Sequence, residues 1–87
     1  MHLYFQVFVS VPSSFKRMKN QLKFMRAKCD LSQTDLAQAL GVSRQSIHAI
    51  ETGKYVPSTV LALKLAQFFK CKVEELFELE EEDRHPL

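Results

Sequence analysis

The sequence has few of the residues from which reactive or covalently stabilised sites are built. Its 87 residues include two cysteines, two glycines, three histidines and no tryptophan. Cys29 and Cys71 belong to neither a CxxC pair nor a Cys/His cluster, so the sequence indicates neither a zinc site nor a disulfide framework. We expect both to be free thiols, buried or half-buried, in a reducing cytoplasm.

Long hydrophobic runs and catalytic motifs are also missing. The apolar runs are far shorter than the roughly 20 residues that cross a bilayer, and the start has no basic region typical of a signal peptide. His2, His48 and His85 are scattered, and no serine or cysteine lies in a nucleophile motif. The glutamates near the end lack the glycines and spacing of a calcium loop. We therefore predict no enzyme activity, no cofactor, no metal and no contact with a membrane.

Charge is distributed unevenly along the chain. Residues 1–73 contain eleven Lys or Arg and three Asp or Glu, net +8, whereas residues 74–87 contain one Arg and seven acids, net −6. The basic part favours a polyanionic partner such as DNA. The acidic run from Glu78 to Asp83 is typical of a solvated segment, and the alternative is a mimic of nucleic acid.

The stretch from Leu31 to Tyr55 predicts two short helices joined by a tight turn. Ser32 can cap the first helix, and the acidic Asp35 suits its positive end. Gly41 stands where a left-handed C-terminal turn prefers glycine, and Ser43 can cap the second helix. The apolar face of the first helix is formed by Leu36, Ala37 and Leu40.

The second helix is predicted to have an apolar and a polar side. At about 100° per residue, Ile47 and Ile50 share one side. Gln45, His48 and Ala49 lie roughly opposite that side, Arg44 projects from the first turn, and Ser43 stands at the border. Because Arg pairs with guanine and Gln with adenine in the major groove, this polar side is typical of a DNA-reading surface. The alternative is an ordinary solvated helix face.

The segment LSQTDLAQALGVSRQSIHAIETGKYVPS, followed by a leucine-rich helix and VEELF, resembles the Xre/Cro-type, phage-repressor-like helix-turn-helix regulators. The resemblance runs from about Met18 to Leu79. It implies an all-α, compact five-helix, lambda-repressor-like DNA-binding domain that regulates transcription in the cytoplasm, at the nucleoid, of a bacterial or phage-infected cell. Lys70 and Lys72 depart from the pattern, because the family often has a glycine and a Ser or Thr cap there.

The resemblance also implies roles for individual residues. Arg26 is expected to reach Glu51 in a structural ion pair, and the alternative is two ordinary surface charges worth about 0 to 1 kcal/mol if paired. The candidates for reading base edges are Ser43, Arg44, Gln45, His48 and Ala49. The candidates for binding phosphates are Gln33, Thr52 and Lys54, to which the hydroxyl of Tyr55 adds a further donor.

Three more helices complete the predicted domain. The first runs from Lys19 to Lys28, with Asn20 as a cap and with Leu22 and Met25 facing inward. The fourth follows a cap at Ser58 and is apolar nearly all round, which is typical of a central core helix. Its predicted core members are Val60, Leu61, Leu63, Leu65, Phe68 and Phe69. The fifth covers Val73–Phe77, and the side chains that either complete the core or form a dimer interface are Leu76, Phe77 and Leu79.

The first 17 residues differ from the rest of the chain. Apolar residues alternate from Leu3 to Val11, which favours a strand ending at Pro12. It could pair with the same strand of a second copy, form an arm on its own domain, or be a non-native start, since LYFQ resembles part of a protease site used in expression tags. We therefore divide the chain into residues 1–17, a helix-turn-helix domain at 18–79 and an acidic tail at 80–87.

Two functional hypotheses follow. The first is a sequence-specific, DNA-binding transcriptional regulator that reads a palindromic operator in double-stranded DNA as a homodimer. The alternative is a protein-interaction module, such as an antitoxin-like partner, for which DNA binding serves only autoregulation.

Overall fold

The computed structural model of the chain describes residues 18–80. They form five helices, which are α1 (Leu22–Lys28), α2 (Gln33–Leu40), α3 (Arg44–Glu51), α4 (Thr59–Phe69) and α5 (Val73–Leu76). Two short strands, β1 (Lys19–Asn20) and β2 (Phe77–Glu78), pair in an antiparallel sheet. The predicted five-helix fold is confirmed, and the small sheet is an addition to it. The strand predicted within residues 1–17 and the tail beyond residue 80 lie outside the described residues.

The predicted starts of α2, α3 and α4 are confirmed. Ser32 Oγ accepts a hydrogen bond from the Asp35 backbone N–H at 2.9 Å, and the Ser32 N–H donates to Asp35 Oδ2 at 3.1 Å. This reciprocal capping box satisfies two donors at the start of α2. Ser43 and Ser58 cap α3 and α4 through their hydroxyl oxygens alone, which accept backbone N–H groups at 3.0 and 3.1 Å.

Helices α2 and α4 each end at a residue with left-handed backbone. Gly41 closes α2 with φ of 73°, as predicted, and Lys70 closes α4 with φ of 57°. Lysine is strained in this region because its Cβ crowds the backbone. Lys72 precedes α5, and its backbone N–H donates to Glu75 Oε1 at 2.8 Å. Lysines thus occupy both positions at which the family often has a glycine and a hydroxyl cap.

Two predicted helix boundaries were wrong. The first helix begins at Leu22 rather than at Lys19, and the fifth ends at Leu76 rather than at Phe77. The cause is the same at both ends, because the residues outside these limits pair as β1 and β2. The Gln21 N–H donates to the Leu76 carbonyl oxygen at 2.8 Å and extends this pairing by one step. The sheet therefore joins the two ends of the described domain.

The core lies between α2, α3 and the inner sides of the other helices. Leu22, Leu36, Ile47, Leu65 and Leu76 are fully buried. The remaining buried apolar side chains are Ala37, Leu40, Ile50, Ala66 and Phe77. Of the residues predicted to complete the core or a dimer interface, Leu76 and Phe77 complete the core, whereas Leu79 is 47% exposed.

The prediction that α4 is a central core helix was wrong for half of its named residues. Val60, Leu63 and Phe68 are 65%, 56% and 38% exposed. Leu61 and Phe69 are half-buried. Helix α4 packs along the side that carries Leu65 and Ala66, and among residues 18–80 no further element covers its other side.

Both cysteines are free thiols, as expected, but only one is sheltered. Cys29 is exposed, which contradicts the expected burial, because it follows α1 in a surface turn. Cys71 is half-buried, and this burial, together with the charge of Glu75, raises the pKa of its thiol. Within residues 18–80 no helix is long and apolar enough to cross a membrane, and no group of three or more metal-binding side chains is present.

Candidate nucleic-acid interface

Helix α3 has a buried apolar side and an exposed polar side. Ile47 and Ile50 are at most 1% exposed, whereas Arg44, Gln45 and His48 are exposed. We call these three residues the polar face of α3. Since the isoleucines fix the rotation of the helix in the core, the polar face points away from the domain, as the helical periodicity predicts.

Ser43 and Ala49 border the polar face and are less free than its members. Ser43 Oγ accepts the Ser46 backbone N–H at 3.0 Å and lies 2.9 Å from Ser46 Oγ, so this hydroxyl is committed to the start of α3. Ala49 is half-buried, which corrects its expected place opposite the core. Its methyl group lies in the wall of a groove of about 540 Å³ between α3 and α4, whose lining also includes Val42, Gln45, Tyr55, Val60 and Lys64.

An ion pair connects α1 to the end of α3. Arg26 Nε donates to Glu51 Oε2 at 2.8 Å, and Nη2 donates to Oε1 at 3.3 Å. The remaining guanidinium nitrogen Nη1 donates to the Leu31 carbonyl oxygen at 2.7 Å. The two side chains are only 16% and 4% exposed. The geometry is therefore that of a sheltered pair, unlike the alternative of two ordinary surface charges.

The pKa values of both partners reflect this pairing. The hydrogen bond to Glu51 raises the pKa of Arg26 against a small opposing effect of burial. Burial by itself would raise the pKa of Glu51, but hydrogen bonds from Arg26 and Gln33 and the positive charge of Arg26 outweigh it, so the pKa is lowered. Glu51 is therefore an ionised, acceptor-only group at neutral pH.

Gln33 makes contacts that sequence reasoning missed. Its Nε2 donates to Glu51 Oε1 at 3.0 Å and lies 3.3 Å from His48 Nδ1. The residue begins α2, and 15 and 18 positions separate it from His48 and Glu51. No sequence pattern within one helix links such positions, so only the packing of α2 against α3 reveals them.

Asn20 also contacts the end of α3. Its Nδ2 donates to the Ile50 carbonyl oxygen at 2.9 Å, and its Oδ1 accepts the Leu22 N–H at 3.1 Å. The predicted capping contact to α1 is present, although Gln21 occupies the cap position. The contact to Ile50 was missed, and it gives the C-terminal end of α3 a second attachment besides the ion pair.

The candidates for phosphate binding differ in exposure and in whether their polar atoms already make hydrogen bonds. Lys54 is exposed just after Gly53, whose φ of 76° allows a tight turn. The Thr52 hydroxyl donates to the His48 carbonyl oxygen at 2.9 Å. Tyr55 is half-buried against the core, and the Gln33 amide nitrogen is engaged as described above. Lys54 and Thr52 are thus the two exposed candidates, and of these the Thr52 hydroxyl is already engaged.

Comparisons with known proteins agree with this geometry. An uncharacterized HTH-type transcriptional regulator of Methanocaldococcus jannaschii is 56% identical over 66 residues, which cover 76% of this chain and 100% of that protein. The HTH-type regulator YgzD of Bacillus subtilis is 50% identical with the same coverage. Both are described as regulators and not as enzymes, in agreement with the predicted absence of catalysis.

A solved structure supports the fold independently. The solution structure of the SOS-response transcriptional repressor LexA from Eubacterium rectale matches with a TM-score of 0.63 at 24% identity, over 77% of this chain and 71% of that one. At this identity the match speaks for the fold alone. The family described as helix-turn-helix matches residues 22–76, which are the first residue of α1 to the last residue of α5. The chain therefore belongs to the Xre/Cro-type helix-turn-helix family of transcriptional regulators.

Proposed function

We propose that this regulator binds double-stranded DNA sequence-specifically, with α3 in the major groove. The observation that carries the proposal is the exposed polar face of Arg44, Gln45 and His48 above the buried Ile47 and Ile50. The major groove admits an α-helix and displays a distinct pattern of donors and acceptors for each base pair. A helix rotated in this way brings its polar side chains to the base edges.

Each member of the interface has a role that suits its chemistry. Arg44 suits guanine, Gln45 suits adenine, and the Ala49 methyl group can pack against a thymine methyl group. His48 adds a hydrogen-bonding ring, and Ser43 stands at the border of the contact. The residues proposed to read bases are Ser43, Arg44, Gln45, His48 and Ala49.

Phosphate contacts would hold α3 in register. Lys54 supplies a point charge, and Tyr55 and Thr52 supply hydroxyl groups, although Thr52 must rotate away from the His48 carbonyl oxygen in order to donate. Gln33 would contribute its backbone N–H, since the first N–H groups of a helix have no partner within the helix. None of these contacts distinguishes one sequence from another.

We further propose that the protein acts as a homodimer on a palindromic operator, in the cytoplasm at the nucleoid. Helix α3 has eight residues and is about 12 Å long at 1.5 Å per residue, so one copy reads only a short half-site. Two copies would place their α3 helices about 34 to 36 Å apart, in successive major grooves. The exposed apolar residues Leu63 and Leu79 support association with a second copy.

The same exposed residues also favour a second candidate, in which another protein covers them and DNA binding serves autoregulation. The exposed apolar side chains that α4 offers to such a partner are Val60, Leu63 and Phe68. Co-purification of a second polypeptide with the native protein, lost in the Leu63→Ser variant, would support this candidate over the homodimer.

Selection of bound sequences from random DNA, at a stated salt concentration, tests the main proposal. We expect the wild type to enrich a palindrome with half-site centres about 10 to 10.5 base pairs apart. The matched control is a variant with Ala at Arg44, Gln45 and His48, which should fold normally because these side chains are exposed. Failure of the wild type to enrich any sequence, or equal enrichment by the variant, would refute the proposal.

A further inference from the structure

The side-chain amide of Gln33 lies between two hydrogen-bond acceptors. Its Nε2 is 3.0 Å from Glu51 Oε1 and 3.3 Å from His48 Nδ1. Glu51 is ionised and paired with Arg26, so its oxygens can only accept. The nitrogen of the amide, and not its oxygen, must therefore face Glu51. This requirement removes the usual ambiguity in the orientation of a glutamine amide.

The orientation of Gln33 determines which nitrogen of His48 carries the proton. The amide nitrogen has two hydrogens, so it can donate one to Glu51 Oε1 at 3.0 Å and the other to His48 Nδ1 at 3.3 Å. A donor can pair with Nδ1 only when that nitrogen is unprotonated. In the neutral ring the proton then lies on Nε2, the nitrogen on the side away from Gln33.

We propose that Gln33 is a positioning residue that holds His48 in the Nε2–H tautomer, so that His48 presents a hydrogen-bond donor to the DNA. This inference rests on the proposed function. Its consequence is a chemical preference at one operator position, which must offer an acceptor such as guanine N7 or O6, adenine N7 or thymine O4. The amino groups of cytosine and adenine are donors and do not satisfy it.

The proposal extends the role of the ion pair. Arg26 orients the Glu51 carboxylate, Glu51 orients the Gln33 amide, and Gln33 orients the His48 ring. Residues on α1 and α2 thus influence which base α3 selects, although His48 alone touches it. Gln33 also has no side-chain hydrogen left for a phosphate while it makes both contacts, which is why its backbone N–H is assigned that role.

The first experiment uses the free protein and needs no DNA. In spectra recorded at about pH 8, the ¹⁵N chemical shifts of the ring distinguish the protonated from the unprotonated nitrogen. We expect His48, assigned by comparison with His48→Gln, to have a single Nε2–H tautomer and nuclear Overhauser contacts to the Gln33 amide. The Gln33→Met variant has a side chain of similar length but no hydrogen-bond donor, and His48 in this variant should show a mixture of tautomers.

The matched control is Gln38→Met, which changes an exposed glutamine on the same helix and should leave the tautomer unchanged. A wild-type ring protonated on Nδ1, or a tautomer population unaffected by Gln33→Met, would overturn the proposal. The wild-type spectrum decides the point by itself if the Gln33 variant does not fold.

The second experiment measures the base preference. The operator position read by His48 is the one at which His48→Ala loses discrimination. Removing the base acceptor there, for example with a 7-deazapurine, should weaken wild-type binding about threefold to tenfold, as for one lost hydrogen bond. The Gln33→Met variant should lose most of this difference, and Gln38→Met should keep it.

The two experiments separate the inference from the function on which it rests. If the wild type selects no sequence, the proposed function fails and the base preference fails with it, while the tautomer is still decided in the free protein. If the wild type binds selectively but Gln33→Met keeps both the tautomer and the discrimination, the role of Gln33 alone is refuted.

Discussion

Arg26 and Glu51 contact each other at 2.8 Å although 25 positions separate them in the sequence. The first lies in the last turn of α1 and the second is the last residue of α3, so the pair fixes the C-terminal end of α3 on the domain. The guanidinium also donates to the Leu31 carbonyl oxygen and thereby holds the turn between α1 and α2. The orientation of α3 thus depends on residues outside the helix-turn-helix segment.

Replacing Arg26 with methionine should lower the free energy of unfolding by about 1 to 3 kcal/mol, because Glu51 would remain sheltered without its charged partner. Urea denaturation at neutral pH measures the change. The control is Lys64→Met, which removes an exposed charge and should change stability by no more than about 0.5 kcal/mol. Equal stability of Arg26→Met and the wild type would mean that the pair contributes nothing.

The cost of Arg26→Met should depend on pH. The pKa of Glu51 is lowered in the folded protein, so its contribution is fully present above the unfolded value of about 4.3 and is lost as the pH falls through the folded value. The difference in unfolding free energy between the wild type and the variant should therefore be constant near neutrality and shrink below about pH 4. An undiminished difference in strong acid would attribute the loss to packing of the arginine stem instead of charge.

Gly41 and Lys70 both have a left-handed backbone. Adding a side chain at the first position and removing one at the second should therefore change the stability of the protein in opposite directions. A Cβ on Gly41 would meet no heavy atom of the described residues within 4 Å, so Gly41→Ala should cost only the backbone strain of about 1 kcal/mol. Lys70→Gly should relieve such strain and raise the melting temperature. Thermal unfolding of both variants checks the signs, and destabilisation by both would reveal an important contact of the Lys70 side chain.

Replacing Gln45 with alanine should relax specificity at one base pair by about 1 to 3 kcal/mol, since a bidentate contact to the base would be lost. Binding to the selected operator and to its single-base variants measures this. Gln38→Ala is the control, because it removes an exposed glutamine outside the interface. Equal losses on all operator variants would count against direct reading by Gln45.

Replacing Lys54 with alanine should weaken binding to every sequence alike. One phosphate contact fewer should reduce the slope of log K against log salt by about one. Titrations at several salt concentrations, on specific and on non-specific DNA, give the slope. An unchanged slope, or a loss confined to the operator, would exclude the proposed phosphate role.

Replacing Leu63 with serine should weaken self-association, because burying a leucine stabilises an interface by about 1.5 to 3 kcal/mol. We expect at least a tenfold increase in the dimer dissociation constant, measured by analytical ultracentrifugation, as about 1.4 kcal/mol corresponds to tenfold. Gln67→Ser changes an exposed polar residue of the same helix and should have no effect. A monomeric wild type at high concentration would contradict the homodimer.

The predicted helix caps, the turn at Gly41 and the apolar side of α3 were correct because each depends on residues close together in the sequence. Ser32, Ser43 and Ser58 each cap a helix by accepting the backbone N–H three positions later in the chain. Gly41 adopts a left-handed backbone that residues with a Cβ adopt only with strain. The spacing of three positions between Ile47 and Ile50 likewise placed the apolar residues on one side of α3. These features depend on neighbours within one or two helical turns.

Other features could not be predicted from the sequence, because they depend on contacts between helices and strands that are distant in the chain. The apolar pattern of α4 predicted burial all round, but burial requires a neighbour that covers each side, and Val60 and Leu63 remain 65% and 56% exposed. The pairing of β1 with β2 shortened α1 and α5 relative to their predicted bounds, and it too is a contact between distant segments. The chain by itself determined where α2, α3 and α4 begin and which side of α3 is apolar. Only the tertiary structure brought Gln33 to Glu51 and His48, since the meeting of two helices depends on the packing of the whole core and not on the spacing within either one.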